Sequence, residues 1–306
     1  GMKKQFFKMR SLIFLGIILV LISVNNLSFA QISTKQLSGS VDTLNTITTA
    51  VPFLIISPDA RAGGMGDAGV ASSADANSIH WNASKLAFVD KNMGFAMSTT
   101  PWLRNLGITD IYLAYLSGYK KIGKDQAIAA SMRYFTLGKI QFTDINGNNT
   151  IQANPNEFAL DVAYSRKLSK YFSGGMVLRY INSNLTNGQQ VLGQDSRAGQ
   201  AVAADISSTY RNTEIKAGDK KSILTAAINI SNIGNKISYT SSQTKNFLPI
   251  NLRLGSSYTI LLDQYNSLAF VLDMNKLLVP TPPRYGDPKD PTKITAGKDP
   301  NRGIVS

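Results

Sequence analysis

Glu157–Leu168 reads EFALDVAYSRKL. Phe158, Leu160, Val162 and Tyr164 fall on one side of an extended chain. Glu157, Ala159, Asp161 and Ser165 fall on the other, because successive side chains of a strand point to opposite faces. The same period of two extends outward in both directions. Residues 126–136 set Ile128, Ala130, Met132 and Tyr134 against Ala129, Ser131 and Arg133. Residues 171–182 set Phe172, Gly174, Met176, Leu178 and Tyr180 against Ser173, Gly175, Val177 and Arg179. Residues 248–262 and 267–277 alternate Leu252, Leu254, Tyr258, Leu268, Phe270, Leu272 and Met274 with Asn251, Arg253, Ser257, Asp273 and Asn275. Nine long strands are predicted, at 92–100, 109–119, 126–136, 157–168, 171–182, 200–212, 222–233, 248–262 and 267–277. Strands of about ten residues exceed the usual soluble length and suit a tilted bilayer crossing.

The polar faces decide between a sandwich and a membrane barrel. A sandwich buries the apolar face of each sheet against the other. Here the opposite faces carry Arg133, Asp161, Arg179, Asp205, Arg253 and Asp273, which suit a wet or plugged lumen while the apolar rows meet lipid. Tyr119, Tyr134, Tyr180 and Tyr210 are placed near strand ends, as an interfacial girdle requires. The connections alternate as well. Those near 120–125, 169–171, 213–221 and 263–266 are short, and those near 137–156, 185–199, 234–247 and beyond 278 are long. Outer-membrane barrels have short periplasmic turns and long external loops, so the long loops are read as external, with 100–108 among them. The fold class predicted is all-β, a transmembrane antiparallel β-barrel occupying 91–277.

Ahead of the strands, residues 50–90 are read as a plug. Asp59–Phe88 holds eight alanines and four glycines, Gly63, Gly64, Gly66 and Gly69. Such a segment buries too little apolar area for a core of its own, but its backbone packs closely inside something larger. Asp67 and Asp75 are expected to pair with Arg61 between plug and wall. Ala50–Ser57, AVPFLIIS, is read as a short first strand or a lipid- or partner-facing segment.

Residues 1–30 read as a signal peptide: basic Lys3, Lys4, Lys8 and Arg10, an apolar stretch from Leu12 to Val24, then Ser28-Phe29-Ala30. Export to the outer membrane is expected, with 31–49 a flexible leader. The tail 278–306 holds six of the chain's 11 prolines and is read as a Pro-rich external loop, with the final strands of a complete barrel lacking.

Several function classes fall away. The chain of 306 residues has no cysteine and one histidine, so neither a thiolate nor a two-histidine metal site is possible. Its net charge of +13 is dispersed over strand ends and loops, without the basic helix or aromatic-basic stripe of a nucleic-acid binder. Contact with lipopolysaccharide or an acidic partner is the better reading of that charge. The run GGMGDAG lacks the GxGxxG spacing of a dinucleotide site. Asp144-Ile145-Asn146-Gly147-Asn148 lacks the terminal glutamate of a calcium loop. His80 is read as a hydrogen-bonded plug residue. No cofactor and no enzymatic activity are expected.

The run PDARAGGMGDAGVASSADANSIHWN, together with TPWLRNLGITDIYLAYLSGY (100–119), SMRYFTLGKIQFTDINGN (131–148), NEFALDVAYSRKLS (156–169) and SGGMVLRYINSNL (173–185), resembles the FadL-like superfamily of outer-membrane transporters. Within it, these runs resemble the PorV (LptO) family of the Bacteroidetes type IX secretion system. Asn82-Ala83-Ser84 departs from the superfamily's usual Asn-Pro-Ala. The resemblance implies 14 strands in a complete barrel. It also implies a non-enzymatic component that binds the C-terminal signal domain of secreted cargo and carries it from the SprA translocon to an attachment complex with PorU, PorQ and PorZ. External loops make the partner contacts in that family, which assigns them here to Trp102, Leu103, Arg104, Asp144, Asn146 and the loop after Leu278. The superfamily also contains channels for hydrophobic molecules, the alternative function.

Overall fold

The computed structural model of the chain describes residues 47–143, 146–186, 188–189, 195–240, 245–287 and 290–299. The predicted signal peptide, most of the leader and Asp144 lie outside these residues.

The strands are β1 (Met93–Pro101), β2 (Ile111–Lys121), β3 (Gln126–Leu137), β4 (Ile140–Thr143), β5 (Asn149–Ala153), β6 (Asn156–Lys167), β7 (Phe172–Asn184), β8 (Gly199–Ala217), β9 (Lys220–Gly234), β10 (Asn251–Leu261), β11 (Ser267–Leu277), β12 (Arg284–Asp287) and β13 (Asp290–Ala296). Nine of them form one antiparallel meander in the order β1-β2-β3-β6-β7-β8-β9-β10-β11. They correspond to the nine predicted strands. The sheet curls into a half-barrel that does not close, since β1 and β11 are its two edges among the described residues. β4–β5 and β12–β13 are separate hairpins within two of the long loops, and Gly147 takes a positive φ of 81° at the turn of the first.

The alternation read from the sequence has a physical counterpart in burial. On the convex face Phe95, Met97, Val162, Leu178, Met176, Val202, Phe270 and Leu272 are exposed, Met97 to 75%. A continuous apolar band of this kind exceeds what a water-soluble monomer shows and fits lipid. Aromatic pairs flank the band at both ends. Tyr112–Tyr134 and Phe158–Tyr180 sit near the long loops, and Phe172–Tyr210 near the short turns. Tyr119 does not join them. It packs inward against the plug-side apolar cluster and over Gly94, where a Cβ would stand 2.3 Å from its ring. No helix among the described residues is long and apolar enough to cross a membrane.

The concave side holds two apolar clusters. One, toward the long loops, joins Val51, Phe53 and Leu54 to Leu113, Phe135, Ala159, Ile181, Ile237 and Leu248. Thus Ala50–Ser57 is neither a strand nor lipid-facing. Pro52–Ile55 is a single 3-10 turn whose apolar side chains close the lumen from within. Proline early in the turn removes a donor that would be idle there, and Val51 ahead of it has a positive φ of 48°. The second cluster joins Ile79, Ala83, Leu86 and Val89 to Tyr115, Ala127, Ala129, Ala163 and Val177.

Candidate functional site

The plug crosses the lumen from one sheet edge to the other. Ser98 on β1 donates to the carbonyl of Pro58. Asp59 then caps α1 (Ala60–Gly64): its Oδ1 accepts from Ala62 N at 2.8 Å and its Oδ2 from Trp81 Nε1 at 2.7 Å. At the far edge Asp273 Oδ2 on β11 accepts from the amides of Gly69 and Val70 at 2.7 and 2.8 Å. Ser257 on β10 donates to Ala71 O at 2.7 Å. The chain then turns through α2 (Ser78–Trp81) and a 3-10 segment, Ala83–Phe88, against β6, β7 and β8. There Ser84 Oγ and Asn82 Nδ2 both reach Thr209 Oγ1, at 2.7 and 2.8 Å, and Ser173 Oγ donates to Ser84 O at 2.7 Å. Buried polar groups without partners are costly, and here hydroxyls of the wall satisfy the irregular backbone of the plug.

Close approach selects glycine at two places. A Cβ on Gly69 would lie 2.1 Å from the indole of Trp81, and one on Gly175 of β7 would lie 2.4 Å from the amide nitrogen of Ser84. Gly63, Gly64 and Gly66 do not pack, contrary to expectation. They are exposed and a Cβ on any of them would meet nothing within 4 Å. They lie between the contact with β1 and the contact with β11, where no described strand covers them. Asp67 is likewise exposed, with φ 61° beside Gly66 at φ 72°, so these two residues form a left-handed turn. Arg61 pairs with Asp75 at 2.7 Å and not with Asp67, and this bridge lies within the plug rather than between plug and wall.

Five of the six predicted lumen charges are buried on the concave side, and Asp273 is half-buried. Three of them converge. Arg179 Nε donates to Asp161 Oδ1 at 2.6 Å, and its Nη1 and Nη2 donate to the two oxygens of Asp205 at 3.2 and 3.1 Å. Ser131 Oγ donates to Asp161 Oδ2 at 2.9 Å. Asn232 completes the cluster, accepting from Arg179 through its side chain and donating its backbone N–H to Asp205 at 2.7 Å. A bulge allows this. The β8–β9 register shifts between Ala204 and Ile206, and Asn232 takes φ 61°, which turns both its amide and its side chain inward. The adjacent in-register pair Asp161↔Arg179 on β6 and β7 supplies the other half.

Arg133 belongs to the plug contact instead. Its Nη1 donates to Leu54 O at 2.6 Å and its Nη2 to His80 Nδ1 at 2.8 Å. Guanidinium has no acceptor, so His80 Nδ1 must be unprotonated and the ring neutral. Burial, and then Arg133, hold the His80 pKa well below its ordinary value. An unfolded chain takes up this proton near pH 6.5 and the folded one does not. Stability from His80 is therefore complete above about pH 6.5 and falls as pH drops below it, by up to about 1.4 kcal/mol per pH unit. We expect urea titrations at pH 7.5 and 5.5 to show this loss in the wild type and a smaller loss in His80→Gln. Lys85, also buried, donates to Gly69 O at 2.5 Å and Ser72 Oγ at 3.1 Å, and burial brings its ammonium pKa down to about 8.

At the long-loop end, Trp102, Leu103 and Arg104 are exposed, with Leu103 at φ 53° ahead of a 3-10 turn, Arg104–Leu106. The Trp102 ring packs edge-on against Phe135, 5.7 Å between centroids, which holds it at the rim. Asn146 is exposed in the β4–β5 turn. The two groups stand on separate loops. Lys85, Thr209 and Asn232 escaped the sequence reading, and Asn82 entered it only within the Asn82-Ala83-Ser84 run, with no bonding role. Lys85 had a visible signal, as a lone cation within a small-residue apolar run. For Asn232 there was none, because a bulge is a property of strand pairing. Among the described residues no group of three or more His, Cys, Asp or Glu could hold a metal ion.

An antiparallel half-barrel with an apolar convex band, flanking aromatics and a lumen filled by its own N-terminal segment defines an outer-membrane β-barrel protein of the plugged kind. The family model described as "Type IX secretion system protein PorV" matches residues 39–284, most of the chain. The chain therefore belongs to the PorV family, outer-membrane components of the type IX secretion system of Bacteroidetes, with a role in transport. No curated protein matches it.

Proposed function

We propose that the protein is a non-enzymatic carrier for secreted proteins. It binds the C-terminal signal domain of cargo at its external rim, receives cargo from the SprA translocon and passes it to the attachment complex containing PorU, PorQ and PorZ. The observation that carries this reading is the exposed, braced Trp102-Leu103-Arg104 turn at the long-loop end of a lumen sealed by Val51, Phe53 and Leu54. Aromatic and arginine side chains are common interface anchors. The seal favours work at the rim over conduction of hydrophobic solutes through the lumen, since a channel would have to displace a plug bonded to β1, β3, β7, β8, β10 and β11.

The test is an affinity pull-down from gently solubilised outer membranes. Trp102→Ala with Arg104→Ala is expected to reduce recovery of translocon and cargo by about tenfold, the effect of about 1.4 kcal/mol. Equal recovery by wild type and variant removes the rim assignment. Recovery of neither partner by the wild type, with co-purified lipid in the lumen, supports the channel instead.

A further inference from the structure

A cationic pocket opens beside the rim on the convex face. Arg197, Ala198, Gln200, Lys236, Ser238 and Lys245 line a cavity of about 590 Å³. Three of the six residues are cations and none is an acid. The placement follows from the chain. Gln200 and Val202 lie on the outward phase of β8, with Gly199 and Ala201 buried between and beside them. Ile237 is fully buried in the long-loop cluster, and its Cδ1 stands 2.8 Å from where a Cβ on Gly199 would be. Its neighbours Lys236 and Ser238 therefore turn outward. The isolated antiparallel bridge Ser196↔Thr240 ties the two loops together, as does Arg197 N, which donates to Tyr239 O at 2.8 Å, and the bridge Ile237↔Asn246 folds the second loop back on itself. Lys236 Nζ stands 4.1 Å from the Phe247 ring centroid, a cation–π contact that holds its ammonium at the pocket wall. The pocket is thus built from paired backbone rather than from three lysine-like side chains that happen to be near one another.

Its height along the barrel identifies the ligand chemistry. Immediately below on the convex face lie Tyr180, Leu178, Val202 and Ile206, the exposed apolar band that meets hydrocarbon. A cationic cavity just above an apolar band is at the level of lipid headgroups. We propose that this pocket binds the phosphate of an anionic outer-membrane lipid, with Arg197, Lys236 and Lys245 as its ligands. Basic residues at a membrane surface are attracted to its anionic headgroups, and that attraction weakens as salt rises. The proposal is independent of the cargo reading, because the pocket faces lipid and the cargo residues stand on another loop.

The test uses the full chain purified in a neutral detergent, with diphosphorylated lipid A, enzymatically dephosphorylated lipid A and inorganic phosphate as probes. Binding is read by native mass spectrometry and by titration at two salt concentrations. The variant R197Q/K236Q/K245Q is compared with a control at the short-turn end, K120Q/K124Q/K216Q, which removes the same charge. Wild type and control are expected to bind diphosphorylated lipid A more tightly than the triple rim variant by about tenfold or more, and more weakly as salt rises. Equal loss in both variants would mean only a net-charge effect and would overturn the assignment. So would equal binding of the dephosphorylated lipid. Displacement of lipid A by millimolar inorganic phosphate would make the pocket a free-phosphate site and overturn the lipid source. Far-ultraviolet circular dichroism of all three proteins separates a binding defect from a folding one.

Discussion

Replacing Arg179 by methionine is expected to destabilise the protein by about 3–5 kcal/mol, the largest effect of any single change considered, because it leaves buried charge without a partner. Asp161 and Asp205 each retain at most 2% of their side-chain exposure, and Arg179 contacts both. Its removal also strands the Asn232 side-chain oxygen at the β9 bulge. The check is urea unfolding in detergent micelles, followed by heat-modifiable gel mobility. Two comparisons separate the mechanism from a general cost of losing an arginine. R179M combined with D161N and D205N is expected to recover part of the loss, since the carboxylates then carry no charge. Arg253→Met is expected to be neutral or stabilising, because Arg253 Nε and Nη1 find no partner among the described residues and the guanidinium mainly stacks over Trp81, 4.8 Å from the ring centroid. A large loss in R253M, or a small one in R179M, would refute the assignment of Asp161–Arg179–Asp205 as the electrostatic centre of the lumen.

The second large effect is expected at Gly175. Alanine there would place a Cβ 2.4 Å from Ser84 N and 2.8 Å from Ser84 Cα, both backbone atoms that cannot rotate away. Overpacking of this kind costs about 1–3 kcal/mol, and more where the obstacle is backbone. Relief requires the 82–84 segment to lift off β7 and β8, breaking its bonds to Thr209, Ser173 and Ser207. Limited proteolysis of the folded protein is therefore expected to cut within 70–90 in Gly175→Ala and to spare the wild type. Gly63→Ala provides the contrast. It has open space and lies in α1 without a positive φ, so alanine is expected to stabilise by about 0.4–1 kcal/mol. If Gly63→Ala proves as damaging as Gly175→Ala, then glycine content rather than local approach governs the plug.

These two residues show where sequence reading stops. Both glycines sit in small-residue contexts, and nothing local to either tells them apart. Alternation places Gly175 correctly on the inward face, but the plug segment that approaches it at Ala83 and Ser84 comes from about ninety positions earlier in the chain. Similarly, Tyr119 and Tyr134 both stand near strand ends, yet only Tyr134 joins the outer aromatic pairs. The apolar run Ala50–Ser57 had the composition of a strand or a lipid-facing segment, and it is buried because the curled sheet offers an apolar hollow at the long-loop end.

By itself the sequence determined the nine strands of the sheet, which residues of β3, β6 and β7 face lipid and which face the lumen, and the alternation of short turns with long loops. Those features follow from the covalent geometry of an extended chain, whose side chains alternate whatever lies beside them. Only the tertiary structure decided that Arg179 rather than Arg253 is the partnered cation, that Asn232 enters the lumen at a bulge, and that Asp273 holds Gly69 from 204 residues away. Such pairings depend on strand register and on the path of the plug, both settled by packing of the whole barrel, because one residue of slip would exchange every inward side chain for an outward one.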